Sequence, residues 1–419
     1  MLFHSTVLAN GLRVLVVEKP ETLVTSVGVF IRHGSRNELK EESGLSHFLE
    51  HLIFNNQRAI RRGKEAVKEI VNNGGLLNAH TTKECTSFEG LILSQHSKTL
   101  LKALYELTFE ADFTEEDVEA ERKIILAELQ RKLHSSEQIM DRLIEGMYGG
   151  HGYGNWILGN EQTIKSFSAK HLLQRYQEIY SADNSVIVII TNNNINDVIN
   201  DASEIYSNVP SGVPTPIEIR SSESVHFNIL KQKSDYVTLC MGGVGPSLRD
   251  EGKKNFEVAI KGWGGFPNSR LMLKAREKEG LVYHIQSFYQ GFIQTGNWGI
   301  YTSVAKDKFS QLLDILIEEV NYIKENSLDS SEVNNAISGL KTDLYLKTQH
   351  QQYFLKIIGR NEIFRETIYP NDLVRQFELS TVENIKGFLN EYIDPLRLSM
   401  VVMGDVDGQK LLQQVDKMG

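Results

Sequence analysis

Residues 44–52 read Gly-Leu-Ser-His-Phe-Leu-Glu-His-Leu and contain the pattern His-x-x-Glu-His. On a helix, His47 and His51 are four apart and project from one face, one turn above the other. Two imidazoles so placed can hold one zinc ion. Glu50 follows His47 by three residues, near the same face, where it could take a proton from water at the metal. Leu45, Phe48, Leu49, Leu52, Ile53 and Phe54 surround the trio. The helix is therefore expected to be buried, and buried ionisable groups need a partner. A structural zinc site takes four protein ligands, whereas a catalytic one takes three and keeps a position open. The third ligand must come from elsewhere in the chain.

The stretch from Phe113 to Gln130 supplies candidates. Thr114 is a suitable N-cap, Asp117 sits at the capping-box position and acids crowd the first turn, which predicts a helix start. Glu121 and Glu128 are seven apart, two turns along one stripe of that helix. One carboxylate could ligate the metal while the other orients a ligand from behind.

At this point the sequence resembles the inverzincin metallopeptidases of the pitrilysin and insulysin family, in particular the half-length bacterial members similar to mitochondrial processing peptidase. The resemblance rests on ordered blocks that cover nearly the whole chain. They are Leu8–Val14, Gly34-Ser-Arg-Asn-Glu38, the His47–His51 motif, Gly74-Gly-Leu-Leu-Asn78-Ala79-His-Thr81, Glu121–Glu128, Ser269-Arg-Leu271 and Arg276-Glu-Lys-Glu-Gly-Leu-Val-Tyr283. It implies one zinc per chain, with His47, His51 and Glu128 as ligands, Glu50 as general base and Glu121 as supporting carboxylate. Asn78 and Ala79 would lie on an edge strand that binds substrate backbone. Arg276 and Tyr283 would contact the substrate and help hold the developing oxyanion. His80 is not counted as a ligand. One departure is visible: where the family usually has Phe-x-Gly-Thr after the motif helix, this chain has Phe54-Asn55-Asn56-Gln57-Arg58.

Composition narrows the function class. The 419 residues are 41% hydrophobic and 24% charged, as in ordinary globular proteins, with a formal net charge of −9. No basic patch or aromatic-basic interleaving points to nucleic acid. No run approaches the roughly 20 apolar residues of a membrane span. The first residues lack the marks of a signal or transit peptide, so a cytoplasmic protein is expected. Cys85 and Cys240 are expected to be small buried side chains rather than a disulfide.

The elements that must position these residues come in two copies. A helix and strand over Phe167–Ile190 correspond to Leu379–Met403, Gly75-Leu76-Leu77 to Gly280-Leu281-Val282, and Val118–Leu129 to Val333–Leu344, all at offsets of 205–215 residues. The expected architecture is α+β: two duplicated domains, 1–212 and 225–419, each a mainly antiparallel sheet flanked by helices, joined by a linker at about 209–224 and forming half of a clamshell. Strands are expected at Leu12–Val17 and Val24–Ile31, a loop over Arg58–Lys64, then a helix over Glu65–Asn72. The aromatic residues of the glycine-rich stretch Tyr148–Trp156 are expected to pack rather than bind. The second copy has no metal site: Phe256–Gly265 stands where the first has its motif, and Ala336 and Asp343 stand for Glu121 and Glu128. A site on one copy only is a graft on a shared fold.

The expected function is a zinc-dependent endopeptidase acting on extended peptides or unfolded segments, such as leader or presequence processing or peptide degradation. Full-length relatives carry four such domains. Two chains, as a homodimer or a heterodimer with a related subunit, would therefore enclose the chamber, with Arg276 and Tyr283 acting in trans. The alternative is a non-catalytic assembly or peptide-binding subunit.

Overall fold

The computed structural model describes residues 1–216, 225–366 and 369–415. It comprises two compact units. The first contains Met1–Arg131, Asn155–Glu218 and Leu346–Ile368; the second contains Lys132–Gly154, Ile219–Tyr345 and Tyr369–Gly419. The α+β class is as expected, with one sheet and its helices in each unit. The expected linker falls partly outside the described residues, since 217–224 are not among them.

In the first unit, β1 (Leu2–Val7), β2 (Arg13–Glu18), β3 (Val24–Ile31), β4 (Leu76–Thr81), β5 (Thr86–Leu93) and β6 (Ser185–Thr191) form a sheet in the order β1-β2-β6-β3-β5-β4. Only β2 and β6 pair in parallel; the other pairs are antiparallel. The β6 run Ser-Val-Ile-Val-Ile-Ile-Thr is buried at every residue, as a central strand covered on both faces must be. The helices Leu45–Ile53, Ser97–Thr108 and Ile195–Tyr206 pack on strands of this sheet, and so does Gln351–Glu362, from the far end of the chain, against β3 and β6. Gly359 permits that last contact: a Cβ there would fall 2.1 Å from the Phe30 ring.

The second unit holds β7 (Phe227–Lys231), β8 (Tyr236–Gly245), β9 (Val282–Gly291), β10 (Gly296–Ala305) and β11 (Ser399–Gly404), in the order β7-β11-β8-β10-β9. Trp263, Trp298, Phe256 and Leu316 lie in its main core. A second cluster joins Ile139, Leu143 and Met147 of helix Gln138–Tyr148 to Cys240, Phe292 and Val401. Tyr148 and Tyr153 belong to that cluster, so these two aromatics pack. Both cysteines are buried.

Each sheet is therefore covered partly by a helix from the other half of the sequence. Residues 1–212 expressed alone would leave the apolar face around Phe30 bare. They are expected to be insoluble or loosely folded, and to become soluble on co-expression with residues 213–419; soluble yield and proteolysis rate report the difference. Among the described residues no helix is long and apolar enough to cross a membrane.

Candidate active site

The motif forms helix Leu45–Ile53, and its start is tightly specified. Gly44 has φ +94°, and a Cβ there would meet Gly159 Cα at 2.9 Å and the Leu158 carbonyl at 3.0 Å, so only glycine fits. The buried Glu38 closes the N-terminus: its Oε2 accepts from Gly44 N and its Oε1 from Ser46 N, both at 2.7 Å. Leu45, Phe48, Leu49 and Leu52 are buried. This anchors the face that carries His47 and His51.

Burial pushes the Glu38 carboxyl up to about 7, against the pull of the two N–H groups. A carboxyl raised on folding binds its proton more tightly in the folded chain. Its contribution to stability is full below the ordinary value of 4.5 and is lost as pH rises through about 7. Glu38→Gln does not titrate, so it is expected to gain on the wild type across that window by on the order of 3 kcal/mol. Chemical denaturation of both proteins at either end of the window measures this.

The second carrier is helix Glu115–Leu133. Its capping box is present: Asp117 N donates to Thr114 Oγ1 at 3.3 Å and Thr114 N to Asp117 Oδ2 at 2.7 Å. Arg122 is buried, donates to the carbonyls of Ile164 and Phe167, and lies 5.7 Å from the centre of the Phe48 ring. The long helix is thus docked on the motif helix.

This docking brings His47, His51 and Glu128 together. His47 Nε2 and His51 Nε2 lie 3.8 and 3.7 Å from Oε2 of Glu128. One ligand atom from each residue falls within 4.8 Å of the other two. A tetrahedral zinc with bonds of about 2.1 Å spaces its ligand atoms by roughly 3.4 Å, so small side-chain shifts would close these donors on one ion. Two imidazoles and a carboxylate are also a donor set that suits zinc with an open position. On the far side of the ring, His51 Nδ1 faces Oε2 of the buried Glu121 at 3.3 Å. An Nδ1–H donated there leaves the Nε2 lone pair for a metal. Burial lowers the His51 pKa, but its bonds to Glu121 and Glu128 outweigh that and carry it up to about 9. A proton and a metal therefore compete for this ring. Burial raises Glu121 too, yet bonds from His51 and Asn55 and the charge of Arg58 bring it below the usual carboxylate value.

Glu50 accepts a 2.6 Å hydrogen bond on Oε2 from the Thr81 hydroxyl, at the buried end of β4. Burial raises its pKa; the Thr81 bond and nearby His51 oppose that, and Glu128 adds to it. Asn78 and Ala79 lie on β4, the outer strand of the sheet, hydrogen-bonded to β5. Asn78 is exposed and its Oδ1 accepts from Ala79 N at 3.0 Å. Arg276 and Tyr283 belong to the second unit. Arg276 sits in a π-helical turn, Met272–Lys278, with its guanidinium 5.3 Å from the centre of the Tyr283 ring. Tyr283 is 86% exposed. The pair is brought together and faces solvent.

The expected loop over Arg58–Lys64 is a correction. Residues Asn56–Arg61 form a helix, because Asn55 Oδ1 accepts from Arg58 N at 2.9 Å and caps it. The same side chain donates from Nδ2 to Glu121 Oε1 at 2.9 Å. No site role was assigned to Thr81, Asn55, Arg58 or Glu38 from the sequence. An Asn three residues before Arg58 is a cap signal that was available; the long-range bonds of Thr81 and Arg58 left no local trace.

Comparison with known proteins gives two family matches. A profile described as "Insulinase (Peptidase family M16)" matches residues 13–161, and one described as "Peptidase M16 inactive domain" matches residues 166–340. The uncharacterized zinc protease YmxG of Bacillus subtilis is 26% identical over 91% of this chain and 93% of its own length. The mitochondrial-processing peptidase subunit beta of Blastocladiella emersonii is 27% identical over 96% and 88%. Among solved structures, a peptidase M16 inactive domain from Pseudomonas fluorescens superposes with a TM-score of 0.86 at 19% identity, covering 97% of this chain and 98% of that one. A protease from Helicobacter pylori also reaches 0.86, at 18% identity and coverages of 96% and 99%. These superpositions establish the shared fold.

Proposed function

We propose a catalytic role from one premise: this chain belongs to the insulinase family of peptidases, M16. Within it the chain acts as a zinc-dependent endopeptidase on extended peptides. The observation that supports this reading is the convergence of His47, His51 and Glu128 within 4.8 Å, on elements that also carry Glu50. Zinc held there supplies a Lewis acid that acidifies water and polarises a carbonyl. Glu50 takes the proton of the attacking water and returns it to the leaving amine. Thr81 holds the carboxylate in place for both transfers. Glu121 keeps His51 Nδ1–H engaged and fixes the ring. The outer edge of β4, at Asn78 and Ala79, accepts substrate backbone as a further strand, which presents the scissile carbonyl reproducibly.

Arg276 and Tyr283 act on the zinc site of a second chain, donating to the oxyanion as it forms. The assembly is a dimer around an enclosed chamber, which admits unfolded segments and excludes folded proteins. The test is cleavage of a mixed library of short peptides by the purified chain with zinc, beside a chelator control. Chelator-sensitive cleavage is expected. A zinc-loaded protein that binds peptides without cutting them would replace this reading with a binding role.

A further inference from the structure

We propose that Asn55 and Arg58 are positioning residues for the metal centre, acting through Glu121, and that they set how tightly the centre holds its ion. The inference rests on the metal site proposed above. It arises in the segment that follows the motif helix, Phe54-Asn55-Asn56-Gln57-Arg58.

Both oxygens of Glu121 are engaged. Oε2 faces His51 Nδ1 at 3.3 Å, while Oε1 accepts from Asn55 Nδ2 at 2.9 Å and lies 4.0 Å from Arg58 Nη1. A carboxylate held from two sides cannot swing away from the imidazole, so the ring it supports keeps its direction. The Asn55 amide is itself fixed, since its Oδ1 accepts from Arg58 N and its Nδ2 is left to donate. Arg58 is buried and also reaches Asp117 Oδ1 at 3.6 Å, one turn before Glu121 on the same helix. Arg62 adds a 2.6 Å bond to Asp117 Oδ2.

The short helix Asn56–Arg61 therefore clasps the long helix just past the end of the motif helix. Glu128 sits two turns further along that long helix. Its distances of 3.8 and 3.7 Å to the two histidines depend on the same docking. Loosening the clasp would free the His51 ring and the third ligand together.

Asn55→Ser separates this role from simple capping. Serine still caps the short helix, but its side chain is too short to reach Glu121. Zinc affinity is read by competition with a chromogenic chelator. The geometry of the centre is read from the visible spectrum of the cobalt-substituted protein, and the fold from the melting curve of the metal-free protein. The expected result is zinc held roughly 10–100-fold more weakly and a shifted cobalt spectrum, with an unchanged metal-free melting curve. Arg58→Met should weaken zinc binding in the same direction, and Arg58→Lys should restore most of it by keeping the charge beside Glu121. Wild-type affinity and an unaltered cobalt spectrum in Asn55→Ser and Arg58→Met would overturn the inference while leaving the metal site standing. A wild-type protein that binds neither metal would overturn both.

Discussion

Glu50→Gln is expected to match the wild type in zinc affinity and to lose turnover by roughly 10²–10⁴-fold, the usual contribution of a general base. The amide is close in shape to the carboxylate and can still accept the Thr81 hydroxyl, so the pocket should not collapse. It cannot take a proton from water, so the chemical step fails while peptide binding survives. Stability gives a second readout. Burial disfavours the charged form of Glu50, and a neutral amide removes that penalty, so the variant should melt no lower than the wild type. Zinc affinity, turnover on a cleaved library peptide and a melting curve complete the measurement. Near-normal turnover in a zinc-loaded Glu50→Gln protein would remove Glu50 from the role of base.

The second large effect concerns the pair of half-buried Arg276 and exposed Tyr283. Arg276→Ala should reduce kcat more than it raises KM, because its donor acts on charge that appears only in the transition state. Removing one such donor typically costs about 10²–10³-fold. If the pair serves a second chain's site, mixing two inactive proteins should restore activity. A dimer of one Glu50→Gln chain and one Arg276→Ala chain then has one site with every group intact. Random re-pairing makes half of the dimers mixed, each with one good site, so about a quarter of wild-type activity should return. A pair serving its own chain's site would leave both sites of the mixed dimer broken, and no activity would return. Tyr283→Phe in place of Arg276→Ala gives an independent repeat.

The strands and helices that carry local periodicity were legible in the sequence. Val24–Ile31 and Glu65–Asn72 appear with the bounds expected, and the Thr114–Asp117 box starts the long helix. His47 and His51 were legible as a pair because a four-residue spacing maps directly onto one helix face, while Glu128 beside them was implied by the family resemblance. The groups that hold them were less so. Thr81 reaches Glu50 across 31 positions and Arg58 reaches Glu121 across 63, and such contacts have no period to detect. Asn55 is a particular case. It follows an apolar run and looks like a turn residue, while its amide joins two helices at once. Helix Gln351–Glu362 was hidden for a different reason. An apolar face tells that a helix must be covered, not which sheet will cover it.

The units each take one segment from the opposite half of the sequence, residues 132–154 in one direction and 346–368 in the other. Both ends of the two segments are separated by 214 positions, which falls within the band of offsets of the internal duplication. The exchange therefore respects the repeat: equivalent pieces have traded places. A chain of one half alone could complete its core by trading that helix with a second copy, as a domain-swapped homodimer does. A chain holding both halves makes the trade within itself, and its two copies are free to differ. One could keep the histidines and carboxylates and the other could lose them, without either losing the helix it needs from its twin.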